Sequence, residues 1–336
     1  MTFLERINSV LYGKKPDKVP FAPKAGLIPR GRFEREMRNK GMGLYSESPV
    51  CWHEMPDVKT EYETQKDTRL TVYNTPVGKI SSGRKNNKIR RMIENVKDYE
   101  PVIFMIEDTI FHPDYSVYLN TVRDLGSDGL VRASGILNPL EEAAGFIGVG
   151  NLEKELERHP QELKRLIEAL EHRTERLLEV IINSPAIFVS VGFISNYYSP
   201  ELLKKYVLPF YHEYIPQLRE EDKICALDIN TSRISGIKEM ISKIGVDVLQ
   251  GFTPPPEGDL SIKEALEIDS VIWLNLPDCI LFDDSFSLRE YIKELIRQDK
   301  SGNSLILGLT NLRNIDSIEM EETYKNALMT IIDVVG

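Results

Sequence analysis

The stretch GVDVLQGFTPPPEGDLSIKEA, residues 245–265, decides the fold. Its first part, VDVLQGF (246–252), is apolar and strand-like. Its last part begins a helix, with Ser261 and Glu264 spaced as a capping box. Between them stands TPPPEGD, a stiff connection that follows a strand and precedes a helix. Prolines fix φ and lower the entropy the loop must lose on binding.

The same strand–helix unit repeats on both sides. KICALDI (223–229) reads as a strand, and SRISGIKEMISKIG (232–245) as a helix with Ile234, Ile237, Ile241 and Ile244 on one face and Gly245 as its stop. SVIWLNL (270–276) and SLILGLT (304–310) are strands. Between them, SLREYIKELIRQ reads as a helix with Ser287 and Glu290 as its capping box, and residues about 317–334 form the closing helix. Upstream, AIFVSVGF (186–193) is a strand, and Ser199 caps a helix with Pro200 at its first position. The strands are continuously apolar, which indicates burial on both faces and a parallel sheet. With 336 residues, the length favours a closed ring: a (β/α)8 TIM barrel formed by one domain spanning 1–336.

The N-terminal half is less regular. Thr2 and Glu5 form a capping box, VPFAPKAG (19–26) is a candidate first strand, and residues 58–84 read as a β-hairpin insertion around Thr75-Pro76-Val77-Gly78. A long helix over about 161–184 precedes the strand at Ala186.

Composition excludes several functions. The net charge is −10, and the one basic stretch, GRKNNKIRR (83–91), reads as a solvated loop, so no nucleic-acid partner is expected. No apolar run reaches membrane-spanning length, so no membrane partner is expected either. Three scattered cysteines make no disulfide framework and point to a reducing cytoplasm. There is no phosphate-binding Walker loop, no HExxH, no CxxC pair and no G-x-S-x-G elbow.

In a βα barrel the loops after the strands gather on one face and carry the chemistry. That rule selects Asn196 and Tyr197, Asp228 and Asn230, Phe252, Thr253 and Glu257, Asn275, and Asn311. An acid ending an apolar strand needs a partner, which makes Asp228 the leading catalytic candidate, although it could also bind backbone amides. Asp259 either faces a ligand or caps the following helix. Arg30 could clamp an anion or stand exposed at a helix start, and Asp108, beside Glu107, could reach the site from a neighbouring loop.

Taken in order, NTPVGKI (74–80), YYSPELLKKYVLPFYHEYI (197–215), residues 245–265 and GNSLILGLT (302–310) resemble the uroporphyrinogen decarboxylase superfamily over nearly the whole chain. TPPPEGD, LNLPDCILF (274–282) and IPRGRFEREMRNKGMGL (28–44) are more similar to its methyltransferases that work with corrinoid proteins. The resemblance implies methyl transfer between a small methoxy-aromatic or methylamine substrate and a cobalamin-type corrinoid on a partner protein, as in an O-demethylase. Asp228, Asn230, Glu257 and Tyr197 would be catalytic, with Arg30, Asn196, Phe252, Thr253, Asn275, Asn311 and Asp108 binding substrate. It also implies zinc at the barrel mouth, with Asp228 as one ligand. Relatives place a histidine two residues before that ligand and often an acid or cysteine after the last strand. Here those places hold Ala226, and Thr310 with Asn311. A decarboxylase using Arg30, Arg32 and Asp108, or a binding barrel that has lost its metal ligands, are the alternative readings.

Overall fold

The computed structural model describes residues 1–65, 68–85, 88–197, 199–229 and 231–336. The chain packs as two compact units. One comprises Met1–Pro49, Ser116–Ser134 and Pro185–Gly336; the other comprises Val50–Tyr115 and Gly135–Ser184.

The first unit is built on a seven-stranded parallel sheet. Its strands are β1 (Leu44–Ser48), β2 (Gly129–Ala133), β3 (Phe188–Ile194), β4 (Ile224–Ile229), β5 (Val248–Phe252), β6 (Val271–Leu274) and β7 (Leu305–Ile306), hydrogen-bonded in chain order. The residues of β2 are all buried, and so are all of β4 except Asp228. The run Pro20–Lys24 bonds both outer strands. The amides of Ala22 and Lys24 reach Leu307 O and Leu309 O at 2.8 Å, while Gly43 and Tyr45 donate to Phe21 O and Pro23 O at 3.0 and 2.9 Å. Edge groups that an open sheet would leave unpaired are thereby used.

Side chains alternate along a strand, so residues two apart share a face. Ala22, Tyr45, Leu130, Phe188, Ala226, Val248, Trp273 and Ile306 form one buried cluster, and the helix α1 (Phe3–Leu11) lays Phe3, Ile7 and Val10 on it. The next residues on that face are Lys24, Glu47, Arg132, Asp228, Gln250 and Asn275. The register agrees, with Tyr45 opposite Leu130 and Glu47 opposite Arg132, and with Ala226 opposite Val248 and Asp228 opposite Gln250. An apolar plug therefore gives way to a polar layer at the C-terminal ends of the strands.

Local signals place the connections. Thr2–Glu5 and Ser261–Glu264 are capping boxes, Ser199 caps the turn that Pro200 opens, and Gly245 ends the helix Lys238–Ile244 at φ 72°, where a side chain would be strained. The helix Ser285–Gln298 starts earlier than its sequence suggests. Asp284 accepts the Phe286 and Ser287 amides at 2.8 and 3.0 Å, so Ser287 lies inside the helix and Ser287–Glu290 is not its capping box.

In the second unit, Lys59–Gln65, Thr68–Thr75, Gly78–Lys85 and Lys88–Arg90 form a four-stranded antiparallel sheet that includes the stretch read as a hairpin. The basic stretch 83–91 contributes to two of these strands instead of forming a loop, because its backbone pairs with the preceding strand; Asn86 and Asn87 lie outside the described residues. The long helix runs Pro160–Ile182. Among the described residues, no helix is long and apolar enough to cross a membrane.

Candidate active site

A cavity of about 820 Å³ opens where the strands of the first unit end. Lys24, Tyr45, Glu47, Asp228, Gln250, Thr253, Glu257, Asn275, Asp278, Thr310 and Asn311 line it, with Phe193 among the few apolar walls.

Arg132, on β2 and only 4% exposed, organises the floor. Nη1 donates to Asp228 Oδ1 at 2.8 Å and to Gln250 Oε1 at 2.7 Å; Nη2 donates to Asp228 Oδ2 at 2.8 Å and to Glu47 Oε1 at 2.6 Å. The guanidinium carbon lies 5.5 Å from the Tyr45 ring centre. Tyr45 Oη donates to Glu47 Oε1 at 2.7 Å, and Lys24 Nζ pairs with Glu47 Oε2 at 3.0 Å. Burial would raise the Glu47 carboxyl, but the Tyr45 hydroxyl, Lys24 and Arg132 outweigh it and hold it at about 2. Burial likewise works against the Arg132 charge, and the hydrogen bonds and charge of Asp228, with the charge of Glu47, more than offset it. Burial pushes the Tyr45 hydroxyl far up, so it stays a donor. Among the described residues, two buried donors of this floor have no partner: Nε of Arg132 and Nε2 of Gln250, a side chain that is 1% exposed.

The other wall comes from the loops after β5, β6 and β7. Asn275 Oδ1 accepts from Thr310 N at 2.8 Å and Asn311 N at 3.3 Å, and its Nδ2 donates to Thr253 Oγ1 at 3.4 Å, so one amide ties three loops together. Glu257 Oε1 accepts the Cys279 amide at 2.9 Å, and Asp278 Oδ2 accepts the Arg313 amide at 2.8 Å. Tyr291 Oη donates to Pro255 O at 2.5 Å, pinning the proline turn that presents Glu257. Asp259 does neither of the things expected of it: Ser261 caps the following helix, and the Asp259 carboxylate instead accepts the Ile234 and Ser235 amides and the Ser235 hydroxyl in the turn before the preceding helix, away from the cavity.

Of the residues selected from the sequence, Asp228, Glu257, Thr253, Asn275 and Asn311 meet at the cavity. Others stand elsewhere. Asn196 and Tyr197 are exposed on a turn and do not line it. Phe252 is 1% exposed because the register shifts at Gly251 (φ +81°), which re-phases the strand end and packs the ring inward. The Arg30 side chain is 71% exposed and pairs with Glu34 one helical turn on. Asp108 belongs to the second unit, where it accepts the Asp57 amide at 2.9 Å. Asn230 lies outside the described residues. Sequence reading passed over Lys24, Tyr45, Glu47, Arg132, Gln250 and Asp278. The signal for Arg132 was present: a charge inside the short apolar strand GLVRA demands a partner, as Asp228 does in its own strand.

The residues present do not fit zinc. Among the described residues no three His, Cys, Asp or Glu side chains are grouped closely enough to hold one metal ion. Ala226 is buried in the apolar cluster, and both oxygens of Asp228 are held by a cation. Cys225 is fully buried, with its thiol pushed up by burial, and Thr310 and Asn311 occupy the remaining ligand positions.

No family model matches the chain, and no curated protein matches it by sequence. Among solved structures, a methyltransferase from Methanosarcina mazei matches with a TM-score of 0.58 at 11% identity, over 99% of this chain and 98% of that one. A B12-independent methionine synthase from Shewanella sp. W3-18-1 matches with a TM-score of 0.42 at 9% identity, over 95% of this chain and 98% of that one. At the first of these identities the likeness is one of fold. The chain therefore shares the fold of that Methanosarcina mazei protein.

Proposed function

We propose that this protein is a methyltransferase that binds a small methylated molecule in the cavity and passes its methyl group to a corrinoid held by a separate protein. The observation that carries the reading is the fixed polar floor: Arg132 clamps Asp228, Glu47 and Gln250 at the strand ends, in a fold matched by a methyltransferase. We read the seven parallel strands, together with the joining run Pro20–Lys24, as a (β/α)8 barrel with residues 58–84 as its hairpin insertion; the bonds on both sides of that run support it. Transfer by in-line displacement needs alignment above all. Gln250 Oε1 helps hold the Arg132 guanidinium in place, and Asp228, fixed by two hydrogen bonds from that guanidinium, offers an aligned acceptor. The open mouth gives a partner protein access to the bound methyl group. A cytoplasmic setting suits the reading, since the three cysteines are free.

The decarboxylase reading is weaker. Arg30 and Arg32, two of the three groups it would use, do not line the cavity, and four carboxylates there (Glu47, Asp228, Glu257, Asp278) would repel a polycarboxylate.

The test is methyl transfer from a panel of methoxyarenes and methylamines to a reduced corrinoid protein encoded beside this one, followed in the corrinoid spectrum. Turnover that Gln250→Ala weakens supports the reading. No transfer from any donor overturns it.

A further inference from the structure

We propose that Asp278 is the proton donor to the departing atom of the methyl donor, with Glu257 as its positioning residue, and that the site is therefore built for a methyl ether. The inference rests on the methyl-transfer reading above.

Glu47 and Asp228 are each ion-paired to Lys24 or Arg132 at 2.6 to 3.0 Å, whereas among the described residues Glu257 has no ion pair and Asp278 has only the longer one to Arg313 at 3.8 Å, and both line the same cavity. Asp278 Oδ2 is fixed by the Arg313 amide at 2.8 Å, and Oδ1 has no hydrogen-bond partner among the described residues. Glu257 is anchored on the amide of Cys279, the residue next to Asp278, so the two carboxyl groups are held on adjacent backbone positions. Burial pushes the Asp278 carboxyl up, and the Glu257 charge adds to this; the Arg313 amide and guanidinium oppose it. The Arg313 guanidinium stays at 3.8 Å from Oδ2, lies over the Phe282 ring and donates to the Asp278 carbonyl. Among the described residues, Cys279 adjoins Asp278, Tyr324 lies near it and Tyr291 lies near Glu257 and Cys279, while Lys24, Glu47 and Asp228 line the same cavity.

The chemistry gives this arrangement a purpose. When a methyl ether transfers its methyl group, the C–O bond breaks and its electron pair stays on oxygen. The methyl carbon bonds to the reduced corrinoid of the partner protein, which supplies the new bond's electron pair. The Asp278 proton goes to the departing oxygen, so an alcohol or phenol leaves and not an anion; water then returns a proton to the carboxylate. A quaternary ammonium leaves as a neutral amine and needs no such donor.

The experiment compares the unaltered protein with Asp278→Asn and Glu257→Gln on aryl methyl ethers whose leaving phenols grow steadily more acidic, with circular dichroism as a check on folding. Asp278→Asn is expected to lose about 100-fold or more in kcat/KM on the least acidic phenol, the range of general acid catalysis, with the loss shrinking along the series. Glu257→Gln removes the repulsion, so the alkaline limb of the kcat/KM profile moves to lower pH. An equal loss across the series, an unmoved limb, or transfer confined to quaternary amines overturns the proposal alone. No transfer by the unaltered protein from any donor overturns the methyl-transfer reading and this proposal with it.

Discussion

Arg132 holds both carboxylate oxygens of Asp228, Nη1 on Oδ1 and Nη2 on Oδ2, each at 2.8 Å, from positions 96 residues apart in the chain. The arginine is almost wholly buried, so the pair is a structural commitment as well as a feature of the cavity. Asp228→Ala strands much of a buried positive charge and is expected to destabilise the fold by about 2–4 kcal/mol, somewhat below a fully buried pair because Asp228 and Glu47 are partly exposed. Asp228→Ala combined with Arg132→Met should recover much of that loss. Urea denaturation of the single and double variants checks both, and a double variant no more stable than the single one contradicts the account.

Against the opposing effect of burial, the Tyr45 hydroxyl, Lys24 and Arg132 hold the Glu47 carboxyl down to about 2 in the folded chain, below the 4.5 of an unperturbed glutamate. A carboxyl depressed by folding contributes stability that is present above its unfolded value and lost as pH falls through its folded value. Unfolding midpoints should therefore fall as pH drops from about 4.5 to about 2. Glu47→Gln should flatten that part of the profile relative to the unaltered protein. Equal slopes for the two would show that the Lys24–Glu47–Arg132 contacts do not stabilise the ionised form.

Gly308 faces Trp273 at a distance no side chain tolerates. A Cβ there would lie 2.3 Å from the indole Nε1 and 2.8 Å from the Leu274 carbonyl. The indole is fully buried and the carbonyl belongs to β6, so neither has room to retreat. Gly308→Ala should cost about 1–3 kcal/mol by overpacking. A thermal midpoint equal to that of the unaltered protein would refute this.

Asp259 caps the turn at Ile234 and Ser235 with three hydrogen bonds of 2.7 to 3.1 Å. Asp259→Ala should cost about 1 kcal/mol in stability, the usual value of a lost cap. Substrate affinity should hold, because the side chain does not line the cavity. A fall in affinity with unchanged stability would reverse this assignment.

The donor set leads us to expect zinc well below stoichiometry in the purified protein, and a thermal midpoint that a chelator leaves in place. Elemental analysis and a melting curve with and without chelator are sufficient. Stoichiometric zinc whose removal lowers the midpoint would show that Arg132 gives up Asp228 to a metal.

What the sequence determined by itself was local. The alternation of apolar strands with capped helices is written within about ten residues at a time, as in Ser261–Glu264 and Gly245, and short-range hydrogen bonds enforce it. Because strands end where those patterns end, Asp228, Thr253, Glu257, Asn275 and Asn311 could be placed at the mouth before any coordinates. Where a pattern was ambiguous, a single neighbour decided it: Asp284 took the cap from Ser287, and Gly251 turned Phe252 inward.

Only the tertiary structure decided which charges meet. Lys24, Glu47 and Arg132 lie in the irregular N-terminal half, and no local spacing connects them to one another or to Asp228. Strand order and register bring them into one layer, and burial then makes each charge depend on the next. The same long-range packing filled the position of Ala226 with an apolar core and gave the acid beside it an arginine as its partner. Pairing across 96 residues is a property of the assembled sheet, because its free energy comes from desolvation and geometry that exist only once the strands are side by side.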